Sequence, residues 1–387
     1  MITCDVAILG AGPAGAIAGV MLARAGLTTI LVSCNTVAEV TARRGETLSA
    51  GATKTLMRLG LTERIEQLGM PIVPGFASTW GSTRPDFRSS LLAPEAATFV
   101  VDRSRLDDAL REAASLSGAK ILSGRAERLE RSGDRWLVSC RECLNLRARW
   151  VVDATGRGAR FARQAGARRF VLDKLLAMTA IVDHESDNGD RTVRIEALRN
   201  GWLFTTRDAL GDRVISFFTD GDIWLPGELR HAEQLLNTAL AQSRAMARLL
   251  EFKRRARIRI WPAATLILDR AVTANVLAVG DAAQTRDPLS SQGISAAIAD
   301  AESGAMALVS SIGGNAAAMQ QHEHRRRRDI ARYLAERHQY YCAETRWRGS
   351  PFWRRRQDFL LPGLAGTQRG ADHAVTVVRA PASPIAG

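Results

Sequence analysis

Apolar positions along the 387-residue chain fall into runs of two different periods. The run Asp5-Val-Ala-Ile-Leu-Gly10 is continuous rather than alternating, as expected of a strand covered on both faces. It leads through Gly10-Ala-Gly12-Pro13-Ala14-Gly15 into a small-residue helix over 16–25, a stop at Gly26 and a second buried strand over 28–32. This is a βαβ unit in about thirty residues. Helical patterns recur at 50–59, 106–117 and 295–310, and strand-like runs at 135–139, 146–152 and 275–279. Four further runs, 176–183, 192–198, 201–206 and 213–220, are joined by turn residues at Arg199-Asn200 and 209–212 and predict an antiparallel sheet. Trp202, Phe204, Phe217, Phe218, Trp224 and Trp261 lie on or beside it. Most are expected in its core, and two or three could form an apolar wall over a bound group.

Length and composition narrow the class. A chain this long suits a nucleotide-binding domain with a second domain grafted on. The hydrophobic fraction of 46% and charged fraction of 24% are ordinary globular values, and no apolar run approaches the roughly 20 residues that span a bilayer. The first apolar run reads as a buried strand rather than a secretory signal, so a cytoplasmic location is expected. Cys4, Cys34, Cys140, Cys143 and Cys342 are scattered and are expected to be thiols. Cys140-Arg-Glu-Cys143 has no second CxxC and no nearby histidine, so no metal is expected. The net charge of +13 is carried mainly by arginine, most densely at Arg325-Arg-Arg-Arg328, Arg346, Arg348 and Arg354-Arg-Arg356. These residues read either as a solvated helix face with a docked tail or as a docking surface for an acidic protein or peptide. No nucleic-acid-binding signature is visible, and neither nucleic acid nor membrane is expected as a partner.

The glycines carry the first chemistry. Gly10 permits a tight turn, Gly12 lets the backbone approach a pyrophosphate, and Gly15 lets helix and strand pack closely, with Pro13 and Ala14 opening the helix. The second strand ends in Val32-Ser33-Cys34-Asn35, where an acidic residue usually meets the adenosine ribose. Ser33 or Asn35 could substitute through weaker hydrogen bonds. Val151-Val152-Asp153-Ala154-Thr155-Gly156 is a strand ending in a small-residue turn suited to close backbone approach. Near the other end, a strand delivers Gly280 and Asp281, whose carboxylate would accept from a ribityl chain. Pro288, Gln292, Gly293 and Ile294 then turn into a helix whose first amides would face a flavin's pyrimidine edge. Arg44 and Arg103 begin segments that resemble flavoprotein segments in which such an arginine faces the cofactor.

In order and spacing these elements resemble the glutathione-reductase-like FAD superfamily. The implied fold is α/β with α+β character: a Rossmann FAD-binding domain over 1–75, 101–166 and 271–330, an inserted antiparallel-sheet substrate domain over 76–100 and 167–270, and a helical C-terminal region over 331–387. Within the superfamily the chain resembles the flavin monooxygenase and tryptophan-halogenase branch over nearly its full length. It is most similar there to flavoproteins that mature tryptophylquinone enzymes, the LodB, GoxB and QhpG type. The likeness rests on Arg44-Gly-Glu-Thr-Leu48, Thr79-Trp-Gly-Ser82, Asn200-Gly-Trp-Leu203, Asp287-Pro-Leu-Ser-Ser-Gln-Gly293, Glu344-Thr-Arg-Trp347 and Ser350-Pro-Phe-Trp353. The last two are the most specific to the maturation group.

The resemblance implies hydroxylation of a tryptophan side chain in a partner enzyme precursor. O2 would be the co-substrate, a flavin C4a-hydroperoxide the oxidant, and NAD(P)H or a separate flavin reductase the electron source. An acidic precursor would suit the positive charge. Halogenation is disfavoured, because 75–82 lacks the relay lysine and no Trp-x-Trp-x-Ile-Pro segment is present. No acid or base is required for attack on an electron-rich indole; Glu46, Arg44 and Gln292 are candidates by position only, and His322 and His324 read as exposed. Three alternatives are a monooxygenase of free aromatic small molecules, a geranylgeranyl-reductase-like enzyme and an FAD-stabilised chaperone.

Overall fold

The computed structural model describes residues 1–34, 44–90, 97–182, 189–224, 227, 231–247, 249 and 257–358. Its first sheet is built on β1 (Ile2–Leu9), in which Val6, Ala7, Ile8 and Leu9 are fully buried. β1 pairs in parallel with β2 (Thr29–Ser33), which pairs in turn with β3 (Lys120–Ser123). On its other side lie β4 (Leu146–Asp153) and then β5 (Val276–Ala278), also parallel. Burial on both faces explains why these strands are apolar throughout. A hairpin of Arg125–Ser132 and Arg135–Arg141 continues antiparallel from β4. Cys140 lies at the end of that hairpin, and burial pushes its thiol up to about 12, so it stays protonated at neutral pH.

Three helices cover one face: α1 (Pro13–Arg24), α2 (Arg103–Leu116) and α3 (Gly293–Ile312). Their core includes Ile17, Val20, Leu106, Leu110, Ile298 and Ala301. A Cβ at Gly19 would lie 3.0 Å from Leu31 and 3.3 Å from Ala114, so the small residues of α1 are what permit this stacking. Two helices start three residues earlier than their apolar pattern predicts. Pro13 is pre-organised for the first helical position. The Asp102 carboxylate accepts from the amides of Ser104 and Arg105 and so starts α2 at Arg103.

The second sheet has seven strands in the order Arg257–Pro262, Leu175–Val182, Arg213–Asp220, Gly201–Arg207, Val193–Leu198, Gly75–Thr79 and Asp86–Ser89. It departs from a purely antiparallel sheet at one place, because Val193–Leu198 pairs in parallel with Gly75–Thr79. The chain reaches Gly75–Thr79 from the first sheet and returns to the second only after β4, so that pair is not constrained by a hairpin. Trp202, Phe217 and Phe218 are core, as expected, while Phe204, Trp224 and Trp261 are half-buried.

The C-terminal part is α4 (Ala318–Ala343) and α5 (Pro351–Gln357); residues 359–387 lie outside the described residues. Here the expected exposed surface is corrected. His322 is buried and bonded to Ser303 at 3.2 Å, because it falls on the inner stripe with Arg326, Ile330, Tyr333, Arg337 and Tyr341. Arg356 shares the buried face of α5 with Phe352, one turn earlier. It makes a bidentate pair with Asp220 at 2.7 and 2.9 Å, and its guanidinium lies 3.8 Å over the Phe352 ring. Arg355 pairs with Asp220 and Asp222, so of the 354–356 cluster only Arg354 is a solvated charge without a carboxylate partner among the described residues. Among the described residues no helix is long and apolar enough to cross a membrane, and no group of His, Cys, Asp or Glu could hold a metal ion.

Removing one member of a buried ion pair strands the other without water. Arg356→Ala is expected to cost about 3–5 kcal/mol in urea unfolding, whereas the double change Arg356→Met with Asp220→Leu should recover most of it. Equal losses from the single and double variants would show that packing, not the stranded charge, dominates.

Candidate active site

Four of the predicted segments meet at the carboxyl edge of the parallel sheet, where open α/β folds bind ligands. Gly10 follows β1 with φ +109°, and a Cβ there would lie 2.3 Å from the carbonyl oxygen of Ala154. A Cβ at Gly15 would lie 1.9 Å from the carbonyl oxygen of Gly10. Both glycines are therefore fixed by backbone contact. Gly12 differs, since a Cβ there meets nothing within 4 Å. It is the N-cap of α1, supplies no side-chain cap, and its carbonyl takes the first intrahelical bond from Ala16. The amides of Ala14 and Gly15 thus have no intrahelical acceptor and face an open cradle of the kind that binds phosphate.

Ser33 lies buried at the end of β2, and Asn35 is outside the described residues. Asp153 has a role that the sequence did not reveal. Its carboxylate accepts from Thr155 N–H and Oγ1 at 3.0 and 2.6 Å and from the amides of Phe161 and Ala162 at 2.8 Å. It thereby fixes the turn that brings Ala154 against Gly10.

Beyond the end of β5, Gly280 has φ +60°, and a Cβ there would lie 2.7 Å from that of Ala14. This close approach sets Asp281 beside the start of α1. The Gly280 amide donates to Asp300 at 2.7 Å. Pro288 opens a single 3-10 turn, Pro288–Ser290, whose cap is Asp287, accepting from Leu289 N–H at 3.1 Å. Gln292 is the N-cap of α3 and makes no side-chain cap bond, which leaves the Gly293 and Ile294 amides without intrahelical acceptors. A Cβ at Gly293 meets nothing within 4 Å, so this helix end is open like that of α1.

Arg44, Arg103 and Glu46 are each paired with other side chains. Arg44 donates to Asp212 at 2.6 Å and pairs with Asp208, both in the turn before Arg213–Asp220, so it ties the first sheet's surroundings to the second. Arg103 is buried and pairs with Glu46 and Asp107. Burial opposes its charge, but the two carboxylates more than compensate and hold its pKa above the usual arginine value. Glu46 is thereby committed, through Oε2, to the Arg103 guanidinium.

Asp287 is the centre of a buried polar cluster. Its Oδ2 accepts from Arg337 Nε at 3.0 Å and from the Tyr341 hydroxyl at 2.8 Å, and its backbone N–H donates to the Tyr333 hydroxyl at 2.6 Å. Arg337 also donates to Asp173 at 2.8 Å. Burial raises the Tyr341 pKa, and the adjacent Asp287 carboxylate raises it further, so this phenol remains a donor. The same helices meet the aromatic side chains. Trp80 packs edge-on to Tyr341 and Trp353, with ring centroids 6.0 and 5.1 Å away. Leu289, from the turn after Asp287, packs in the same cluster with half-buried Trp80, Phe204, Trp261 and Trp347.

Residues 3–338 match the FAD binding domain family, and the chain belongs to it. It is an FAD-dependent oxidoreductase. A relative from Marinomonas mediterranea, the FAD-dependent oxidoreductase LodB, is 28% identical over 373 residues, which cover 92% of this chain and 97% of that one. A pyrrole-2-carbonyl carrier-protein chlorinase from Pseudomonas fluorescens is 32% identical over 42% of each chain. Among solved structures, the peptidyl tryptophan dihydroxylase QhpG, essential for tryptophylquinone cofactor biogenesis, aligns with TM-score 0.76 at 24% identity, covering 92% of this chain and 79% of that one. The myxobacterial halogenase CndH aligns with TM-score 0.79 at 20% identity, over 92% and 86% of the two chains.

The open and closed glycines separate binding from folding. Gly12→Asp places an acid where a diphosphate would lie but is a favourable N-cap. It should leave the melting temperature within a few degrees while reducing FAD affinity at least about tenfold, read from flavin absorbance after gel filtration. Gly15→Val should instead lower the melting temperature of the cofactor-free protein. The reverse pattern would show that the two glycines have been assigned the wrong roles.

Proposed function

We propose that this chain hydroxylates a tryptophan side chain in a partner enzyme precursor during tryptophylquinone cofactor biogenesis. The observation that carries the reading is that Leu289, on the loop leading to α3, and half-buried Trp80, Phe204, Trp261 and Trp347 all pack against one buried aromatic core that includes Trp202, Tyr341, Phe352 and Trp353. An apolar aromatic wall beside the open end of a cofactor-facing helix suits an indole and excludes water. Full-length similarity to LodB and the shared fold with QhpG support a peptide rather than a metabolite as substrate.

Gly10, Gly12, Pro13, Ala14 and Gly15 would hold the FAD diphosphate and Ser33 the adenosine end. Gly280 and Asp281 would hold the ribityl chain, and Pro288, Gln292, Gly293 and Ile294 the pyrimidine edge. Arg44 and Arg103 would brace the segments that close over the cofactor. Reduced FAD, regenerated by NAD(P)H or by a separate flavin reductase, supplies oxygen activation when bound. The protein's own side chains orient the indole and keep the chamber dry, and no side chain need move a proton for the ring to be attacked.

The partner surface shifts from the 354–356 cluster to α4. Arg325, Arg327, Arg328 and Arg332 lie on its exposed face, and Arg327 and Arg332 are partly balanced by Glu323 and Asp329. Replacing Arg325 and Arg328 with Gln should weaken the complex with an acidic precursor and flatten its salt dependence. Affinity indifferent to both would remove this surface from the interface.

Mass spectrometry of a co-expressed quinone-enzyme precursor, with and without this protein, tests the function itself. Gain of one or two oxygen atoms on a single tryptophan is expected. An unmodified precursor in a stable complex with the FAD-loaded protein would point to a chaperone, and no complex would point to a free aromatic substrate.

A further inference from the structure

Arg286 lies on the loop that leads into α3. Arg103, Arg326, Arg337 and Arg356 each pair with a carboxylate. Arg286 is half-buried, yet among the described residues no carboxylate pairs with it. The adjacent carboxylate, Asp287, is occupied by Arg337 and Tyr341. The Arg286 guanidinium lies 5.0 Å over the Tyr333 ring and donates through Nη1 to Gln292 Oε1 at 2.6 Å. Burial pulls its pKa below the usual arginine value, and the more distant Asp300, Asp329 and Glu336 carboxylates offset this only in part.

The contact with Gln292 has a definite sense. A guanidinium has only donors, so the Gln292 carbonyl must face it and the NH2 group must point away. Among the described residues that NH2 has no protein partner. Gln292 is also the N-cap of α3, beside the unpaired amides of Gly293 and Ile294. The loop therefore gathers a cation, a polarised amide donor and a helix N-terminus at one point, all favouring negative charge.

We infer that Arg286 is a positioning residue that, through Gln292, directs an amide donor and positive potential at the flavin's pyrimidine edge and so favours the reduced, anionic cofactor over the oxidised one. The inference rests on placing the flavin at the α3 N-terminus, and the test is arranged so that either can fail alone.

The midpoint potential of the bound FAD, measured by anaerobic dye-coupled reduction, reads the ratio of reduced to oxidised affinity. Arg286→Gln and Gln292→Met should each lower that ratio about tenfold, which is about 30 mV for two electrons. Arg286→Lys should stay within about threefold, because the charge and a donor remain. Gly293→Asp puts a negative charge at the same helix end, in open space and at a position where an acid suits the helix, and should also lower the potential. If Gly293→Asp lowers the potential while Arg286→Gln and Gln292→Met do not, the flavin is where expected and the role of Arg286 is overturned. If none of the three moves it, the flavin does not lie at this helix end and the inference falls with the placement. Should Arg286→Gln fail to fold, Gln292→Met alone decides, since it breaks the same contact from the more open side.

Discussion

A single buried carboxylate, Asp287, holds three parts of the molecule in one relation. Its Oδ2 binds Arg337 and Tyr341 of α4, its Oδ1 caps the turn that precedes α3, and Arg337 carries the connection to Asp173 at the start of the second sheet. A carboxylate this deeply buried is tolerable only when its lone pairs are filled and a counter-charge is near. Burial pushes the Asp173 carboxyl upward, and Arg337 opposes that shift only in part. The loop that presents the α3 amides is therefore set by the C-terminal helix as well as by its own sequence.

That arrangement explains which parts of the fold were legible in the sequence. The glycines at 10, 12, 15 and 280 were readable because each stands in a strand-to-helix segment, although the contacts that fix Gly10 and Gly280 come from Ala154 and Ala14 in other segments. The Asp287 network was not, because Arg337, Tyr341 and Asp173 are 50, 54 and 114 residues from it in sequence, and nothing local marks them as partners. The basic runs misled for a related reason. Arg354-Arg-Arg356 looks like a surface patch, yet helical spacing puts Arg356 on the same side as Phe352, four residues earlier. In α4 the inner stripe was hidden because His322, Arg326 and Arg337 stand where apolar residues usually mark the buried face.

The motifs that carried the likeness to maturation flavoproteins turn out to touch one another. The Gly81 amide donates to Glu344 at 2.9 Å, the Trp80 indole N–H to the Tyr340 carbonyl at 2.8 Å, and the Trp353 indole N–H to the Leu198 carbonyl at 2.8 Å. Ser350 donates to the Asn200 side chain at 3.2 Å. A Cβ at Gly81 would lie 2.5 Å from the Ala343 carbonyl oxygen, so this glycine is needed for the docking, while one at Gly201 would lie 2.1 Å from that of Phe218, so that glycine is needed for strand pairing within the second sheet. These segments encode how the C-terminal helices are fastened to the second sheet. Their shared feature is a fixed lid of aromatic side chains, not a set of reacting groups.

This distinction bears on how such a site can act. Glu46 is held by Arg103, Arg44 by Asp208 and Asp212, and Gln292 by Arg286, so the candidate polar side chains are each committed to a protein partner. A site of this kind has little freedom to shuttle protons, but it has a rigid wall, open amides and a dry aromatic face. For oxygen transfer to an electron-rich ring those are the requirements, since the barrier is lowered by placing two reactants in contact and keeping water out. Under the proposed function, specificity would then lie in what reaches the aromatic cluster, to which Trp80 of the second sheet's edge and Tyr341, Phe352 and Trp353 of α4 and α5 all contribute.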